Sequence, residues 1–325
     1  MKAAYDGCDR QFNNKCTHII FKNHFHGRAI FNTWNYESKE EFDKLKTVVL
    51  EFNNNQELST TVASILKEKP DHGVAIYFEP VQGEGGVTPI TKEFETTLCK
   101  LQSQYPDNVV IIADCVQRGF AGNNLFGLTS LVPNAMALSK SVNNGNYPVG
   151  MLVGKAAFMD IAFAPGTHGG TSSLREDSCK SIIDAFKMFT STQAISLLQQ
   201  NTDELLKLFS DINNTNISIK TDGSSMIGIY CKNQSDAEAF QKKAFNCGDT
   251  LKENSQLKEL LFSKHMEHLD LLKQQYIRAF FNGEFKGMPL KIASDKHTLR
   301  FSAQVVDPTD LAKIKIIIDY VFGKN

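Results

Sequence analysis

The sequence predicts an α/β fold, with a large domain on a mostly parallel sheet followed by a smaller α+β domain. Three observations predict it. Between Thr17 and about Lys155, short β-rich runs alternate with helical patterns. Several of those runs are apolar along their whole length, as strands are when helices cover both faces. Beyond about Asn214 the alternation gives way to a different order of elements. At 325 residues the chain is long enough for two cores, and the boundary is placed between a large domain, 1–195, and a small one, 196–325.

The strands of the first domain are read in HIIFKN (18–23), TVVLEF (47–52), GVAIYFEP (73–80), NVVIIADCV (108–116), NAMALSK (134–140) and VGMLVG (149–154). Helices are read between them in LSTTVASILKEK (58–69) and KEFETTLCKLQSQY (92–105). From Glu176 a single long helix bridging the domains is predicted, because Cys179, Ile182, Ile183, Phe186 and Phe189 form one apolar stripe at helical spacing. The second domain reads as a strand in SSMIGIYC (224–231), helices in DAEAFQKKAF (236–245) and around 257–274, strands in PLKIAS (289–294) and TLRFSA (298–303), and a final helix from Pro308. Asn-rich spots such as FNNN and VNNGN read as turns.

Composition narrows the function. The formal net charge is −1 and acids and bases are interspersed, so neither a nucleic-acid footprint nor a membrane-seeking basic face is present. No apolar stretch approaches the roughly 20 residues that cross a bilayer, and MKAAYDGCDR lacks the apolar centre of a signal peptide. Seven scattered cysteines, without CxxC pairs or a CxxC…HxxxH arrangement, fit a reducing compartment and point away from disulfides and from a zinc site. A cytoplasmic protein with small-molecule partners and no metal is expected.

Asp114 and Lys140 each stand just after an apolar run that reads as a buried strand, and ligands collect at the carboxyl ends of such strands. Glu79 stands at a third strand end. A lysine amine can hold an aldehyde as an imine, while a buried carboxylate keeps a pyridine nitrogen protonated. Together the two residues suggest a pyridoxal phosphate site. Around them lie FHGR (25–28), FEPVQGEGG (78–86), GTHGGT (166–171) and LRF (299–301). A module for another phosphorylated ligand is disfavoured, because no Gly-x-Gly-x-x-Gly follows a strand and no GKS or GKT is present.

In order and spacing these motifs resemble the class III aminotransferases, the acetylornithine and ornithine aminotransferase group of pyridoxal phosphate enzymes with fold type I. VVLEFNNNQEL resembles the acetylornithine branch in particular. The resemblance implies that Lys140 carries the cofactor and moves the substrate proton, and that Asp114 holds the pyridine nitrogen. It gives Val116 to one ring face, Gln117 to the phenolic oxygen and Phe25 to stacking on the ring. Arg28 is implied to hold a substrate carboxylate or the neighbouring glutamate, Arg300 to hold the substrate α-carboxylate, and Glu84 to be the gate that pairs with Arg300 until a dicarboxylate displaces it. Thr171 is implied to reach the cofactor phosphate of a second subunit, hence a homodimer. His26 is left as structural.

The implied reaction moves an amino group from an ω-amino donor such as acetylornithine or ornithine to 2-oxoglutarate. Three departures from the family pattern stand out. Asp114 is followed by Cys115 instead of glutamate, GFAGNN replaces GFGRTG, and MKAAY matches the helix that follows the family's phosphate-binding loop. The alternative reading is therefore a catalytically silent, truncated homologue that acts as a dimerising or partner-completed subunit.

Overall fold

The computed structural model describes residues 1–27, 46–122, 124–143, 149–167, 176–212, 214–251, 291–293, 295–302 and 308–323. By its internal contacts the chain divides into two compact units, Met1–Ala194 and Ile195–Asn325.

In the first unit, α1 (Lys2–Gln11) leads into β1 (Cys16–Phe21), followed by β2 (Thr47–Leu50), α2 (Asn55–Glu68), β3 (Gly73–Phe78), α3 (Lys92–Gln104), β4 (Val109–Asp114), β5 (Ala135–Ser139), β6 (Gly150–Gly154) and α4 (Ala156–Ala162). Among the described residues the strands form one six-stranded sheet in the order β2-β1-β3-β4-β5-β6. All neighbours are parallel except β5 and β6, which run antiparallel. The sheet is thus mostly parallel, as predicted.

Strand residues alternate between two covered faces, which is why these strands read as continuous apolar runs. Ile19, Phe21, Ile76, Phe78, Ile111 and Ala113 pack under α2 and α3, against Leu58, Val62, Phe94 and Leu98. Cys16, Ile20, Ala75, Tyr77, Val110 and Ile112 face the other way, against Ala4 and Cys8 of α1 and Phe158 and Ala162 of α4. Helices α1 and α4 meet closely at Gly7, where a Cβ would lie 2.9 Å from that of Ala162. Arg10 ties the pair by donating to the carbonyls of Ile161 and Ala162 at 3.0 and 2.6 Å. Capping fixes the helix starts: Asn54 accepts from the Glu57 N–H, and Thr91 from the Phe94 N–H.

The predicted long bridging helix is two helices, α5 (Glu176–Thr190) and α6 (Thr192–Ser210), and the division between units falls inside α6. The break has a local cause. The hydroxyls of Thr190 and Ser191 bond back to the carbonyls of Phe186 and Met188 at 2.7 and 2.9 Å, in competition with the helix ladder.

The second unit holds β7 (Ile217–Lys220), β8 (Met226–Cys231), α7 (Gln234–Leu251), β9 (Lys291–Ile292), β10 (Thr298–Ser302) and α8 (Pro308–Phe322). Its sheet, in the order β7-β8-β10-β9, is antiparallel, and α7 and α8 contribute to its core through Ala237, Ala244, Ile318 and Phe322. The helix expected around 257–274 lies outside the described residues. No helix among the described residues is long and apolar enough to cross a membrane.

Candidate active site

The carboxyl ends of β1, β3, β4 and β5, four adjacent strands, bring the candidate residues to one edge of the sheet. Strand order turns between β1 and β3, the kind of position where open α/β sheets bind ligands. Phe78 pairs with Ala113, so Glu79 and Asp114 follow side by side. Asp114 in turn pairs with Ala137, and Lys140 stands three residues on, just past the end of that neighbouring strand. Lys140 is exposed and opens a 3₁₀ turn with φ of 51°, a left-handed backbone that a lysine seldom adopts. Such conformations concentrate at functional sites.

The buried Asp114 carboxylate is held on both oxygens. Oδ1 accepts from the Val116 N–H at 3.2 Å, and Oδ2 lies 3.0 Å from Nδ1 of buried His26. A carboxylate only accepts, so this bond places the His26 proton on Nδ1. Glu79, also buried, joins three loops. Its Oε2 accepts from the Phe25 N–H at 2.8 Å and its Oε1 from the Gly83 N–H at 3.2 Å, while its own N–H donates to His24 Nδ1 at 2.9 Å. Burial pushes the Glu79 carboxyl well above the usual carboxylate range, and the adjacent Asp114 charge adds to this against the backbone donors and Lys140. Burial likewise holds the His24 imidazole well below its usual range, with His26 adding to the effect. His24 is therefore neutral and accepts on Nδ1.

The loop carrying Glu84 runs between two others at close quarters. A Cβ on Gly85 would lie 2.4 Å from the Asn23 carbonyl, so that position does not admit a side chain, while one on Gly83 would lie 2.0 Å from Gln117 Oε1 and would push the Gln117 amide away. Gln82 reinforces the seam by donating to the Lys22 carbonyl at 2.8 Å. The structure thus assembles Phe25, Glu84, Asp114, Val116, Gln117 and Lys140 on the loops of one sheet edge. Arg300 lies in the second unit, on β10 opposite Gly228. Arg28 and Thr171 lie outside the described residues.

Two residues with no assigned role prove central to this geometry. Glu79 organises the loops, and His26 touches Asp114. The signal available in the sequence was the pair of histidines in NHFHG shortly after a buried strand.

A model of the family described as aminotransferase class-III matches residues 1–261. Acetylornithine aminotransferase of Clostridium acetobutylicum is 28% identical over 206 residues, covering 61% of this chain and 50% of the relative. The 5-aminovalerate aminotransferase of Pseudomonas aeruginosa is 37% identical over 124 residues, covering 37% of this chain and 28% of the relative. The chain therefore spans half the length or less of these curated relatives. Among solved structures, the ornithine aminotransferase of Toxoplasma gondii superposes with a TM-score of 0.67 at 19% identity, over 98% of this chain and 68% of that one.

Pyridoxal phosphate is the cofactor of this family, and the residues present fit it. Lys140 supplies an amine for the aldehyde. Each oxygen of Asp114 keeps a lone pair beyond the bond it already accepts, which leaves acceptor capacity for a ring nitrogen. Phe25 and Gln117 supply a flat apolar side chain and an amide donor on flanking loops. With the family match over residues 1–261 and this assembly at the strand ends, the chain belongs to the class III aminotransferases.

Proposed function

We propose that this chain carries an aminotransferase site that moves an amino group from an ω-amino donor of the ornithine and acetylornithine type to 2-oxoglutarate. The observation that carries the reading is the convergence of Lys140, Asp114 and the Glu79-organised loops at four adjacent strand ends. When bound, pyridoxal phosphate supplies an aldehyde that bonds to amines and a ring that accepts electrons.

The chain's own residues supply the rest. Lys140, exposed at the site, holds and moves a proton through its Nζ. Asp114 presents a fixed negative charge to the ring nitrogen, oriented by His26 and by the Val116 N–H. Glu79 binds the backbone N–H groups of Phe25 and Gly83 and shapes the loops, which leaves Asp114 as the carboxylate held toward the ring nitrogen. Arg28 and Arg300 are proposed to bind substrate carboxylates, Glu84 to pair with Arg300 between the half-reactions, and Thr171 to contact the phosphate across a homodimer. A guanidinium fork matches a carboxylate bidentately, which suits Arg300 to that role.

The test is glutamate formation by the purified chain with added pyridoxal phosphate, 2-oxoglutarate and either ornithine, acetylornithine or 5-aminovalerate. Glutamate produced by the wild type and abolished by Lys140→Ala supports the proposal. No glutamate from any donor, with the chain folded, returns the alternative of a silent or partner-completed subunit.

A further inference from the structure

We propose that Asp9, Cys16 and His18 form a binding site for a zinc-type divalent cation, separate from the candidate active site. Cys16 and His18 stand two apart on β1 and point to the same face, toward α1, which contributes Asp9. A carboxylate oxygen of Asp9, Sγ of Cys16 and a ring nitrogen of His18 all lie within 4.8 Å of one another. His18 Nε2 is 3.1 Å from Asp9 Oδ1. Cys16 and His18 are buried, while the Asp9 side chain is 24% exposed and gives the cluster its opening to solvent. The cluster sits toward the amino-terminal end of β1, whereas the pyridoxal phosphate residues gather at the carboxyl ends.

The surroundings of His18 resemble those of a metal-bound imidazole. A ligating histidine commonly gives its second N–H to an oxygen that fixes the tautomer and the ring plane. Here Nδ1 lies 3.0 Å from the hydroxyl of buried Tyr77, and Tyr5 stacks on the ring at 4.1 Å with planes 18° apart. With the proton on Nδ1 and given to Tyr77, Nε2 turns a lone pair toward the Asp9 oxygen. In that tautomer the two acceptors, 3.1 Å apart, are placed to share a cation. Without a cation, the proton sits on Nε2 and is donated to Asp9, and the Tyr77 hydroxyl donates to Nδ1 instead.

The exchange balances. One cation enters, the Cys16 thiol gives up one proton to solvent as the metal–sulfur bond forms, and His18 changes tautomer with no net loss. Three protein ligands drawn from sulfur, nitrogen and oxygen, with a fourth position for water on the Asp9 side, match zinc. The thiol argues against magnesium and calcium. The sequence spacing suggested no such site, because a Cys-x-His on a strand completed by an aspartate from the preceding helix belongs to none of the CxxC patterns.

The test is a cobalt(II) titration of the full chain after chelator treatment, without added pyridoxal phosphate, followed by the thiolate-to-cobalt charge-transfer absorbance and by proton release. One equivalent is expected to bind, with one proton released, and zinc is expected to displace it. The band should vanish in Cys16→Ser, binding should weaken at least tenfold in Asp9→Asn, and both should persist in Cys99→Ser. Zinc should raise the melting temperature of the wild type and not that of Cys16→Ser, with far-UV circular dichroism confirming that the variant folds. The proposal is overturned if no thiolate band forms at stoichiometric cobalt, if the band survives Cys16→Ser, or if Asp9→Asn binds as the wild type does.

Discussion

His26 and Glu79 carry the residue-scale consequences. Replacing His26 by alanine removes a hydrogen bond to the Asp114 carboxylate, and bonds to charged groups are worth about 1.5–3 kcal/mol. Pyridoxal phosphate affinity is expected to fall roughly tenfold or more, measured by fluorescence quenching, while the chain stays folded. Glu79 gives a pH signature of definite sign. Its folded carboxyl is raised, so its contribution to stability is complete below the ordinary value of about 4.3 and is lost as pH rises through the raised folded value. Urea unfolding of the cofactor-free chain across pH should show stability falling between the ordinary value and the raised one and levelling off above it, and Glu79→Gln should flatten the slope. Lys140 and Asp114 were legible in the sequence because each is the first chemically capable residue after a buried strand. The His26–Asp114 bond was not, since 88 residues separate partners that only the sheet order brings together.

Among the elements, the connection from β4 to β5 places Lys140, and one buried side chain holds it. Glu95 on α3 accepts from the N–H groups of Thr129, Ser130 and Leu131 at 2.6–2.8 Å, and from the hydroxyls of Thr129 and Ser130. Burial alone would raise its carboxyl, but these donors outweigh burial and hold it below the usual range. The sign is therefore opposite to that of Glu79: the stabilisation is present above the ordinary carboxylate value and is lost as pH falls through the lowered one. Glu95→Ala is expected to cost about 2–4 kcal/mol by urea unfolding, because five donors, among them the buried Leu131 N–H, lose their acceptor. Thr91→Ala, removing the cap of the same helix, should cost about 1 kcal/mol. Periodicity revealed α2 and α3 to within a few residues, because each has one apolar face on the sheet. It ran α5 and α6 together, because the apolar stripe takes no account of hydroxyls that bond backward at Thr190 and Ser191. It also passed over β7, a four-residue strand whose ISIK pattern carries little signal by itself.

At the scale of the whole molecule, the order of elements was legible and its chemistry followed from it. Parallel strands on both sides of the order reversal deliver their carboxyl ends to one place, and the sequence alternation already implied such a sheet. A homodimer is a proposal resting on Thr171, and sedimentation of the purified chain at about 73 kDa, twice the 36.3 kDa of one chain, is the expected result. The central claim is that this chain by itself presents Lys140 to pyridoxal phosphate over Asp114. The measurement that tests it most directly is borohydride reduction of the chain with added pyridoxal phosphate, followed by peptide mapping, for the wild type and Lys140→Ala. The account predicts a pyridoxyl group on the Lys140 peptide of the wild type and its loss in the variant. Labelling spread over surface lysines, with none specific to Lys140, would contradict it.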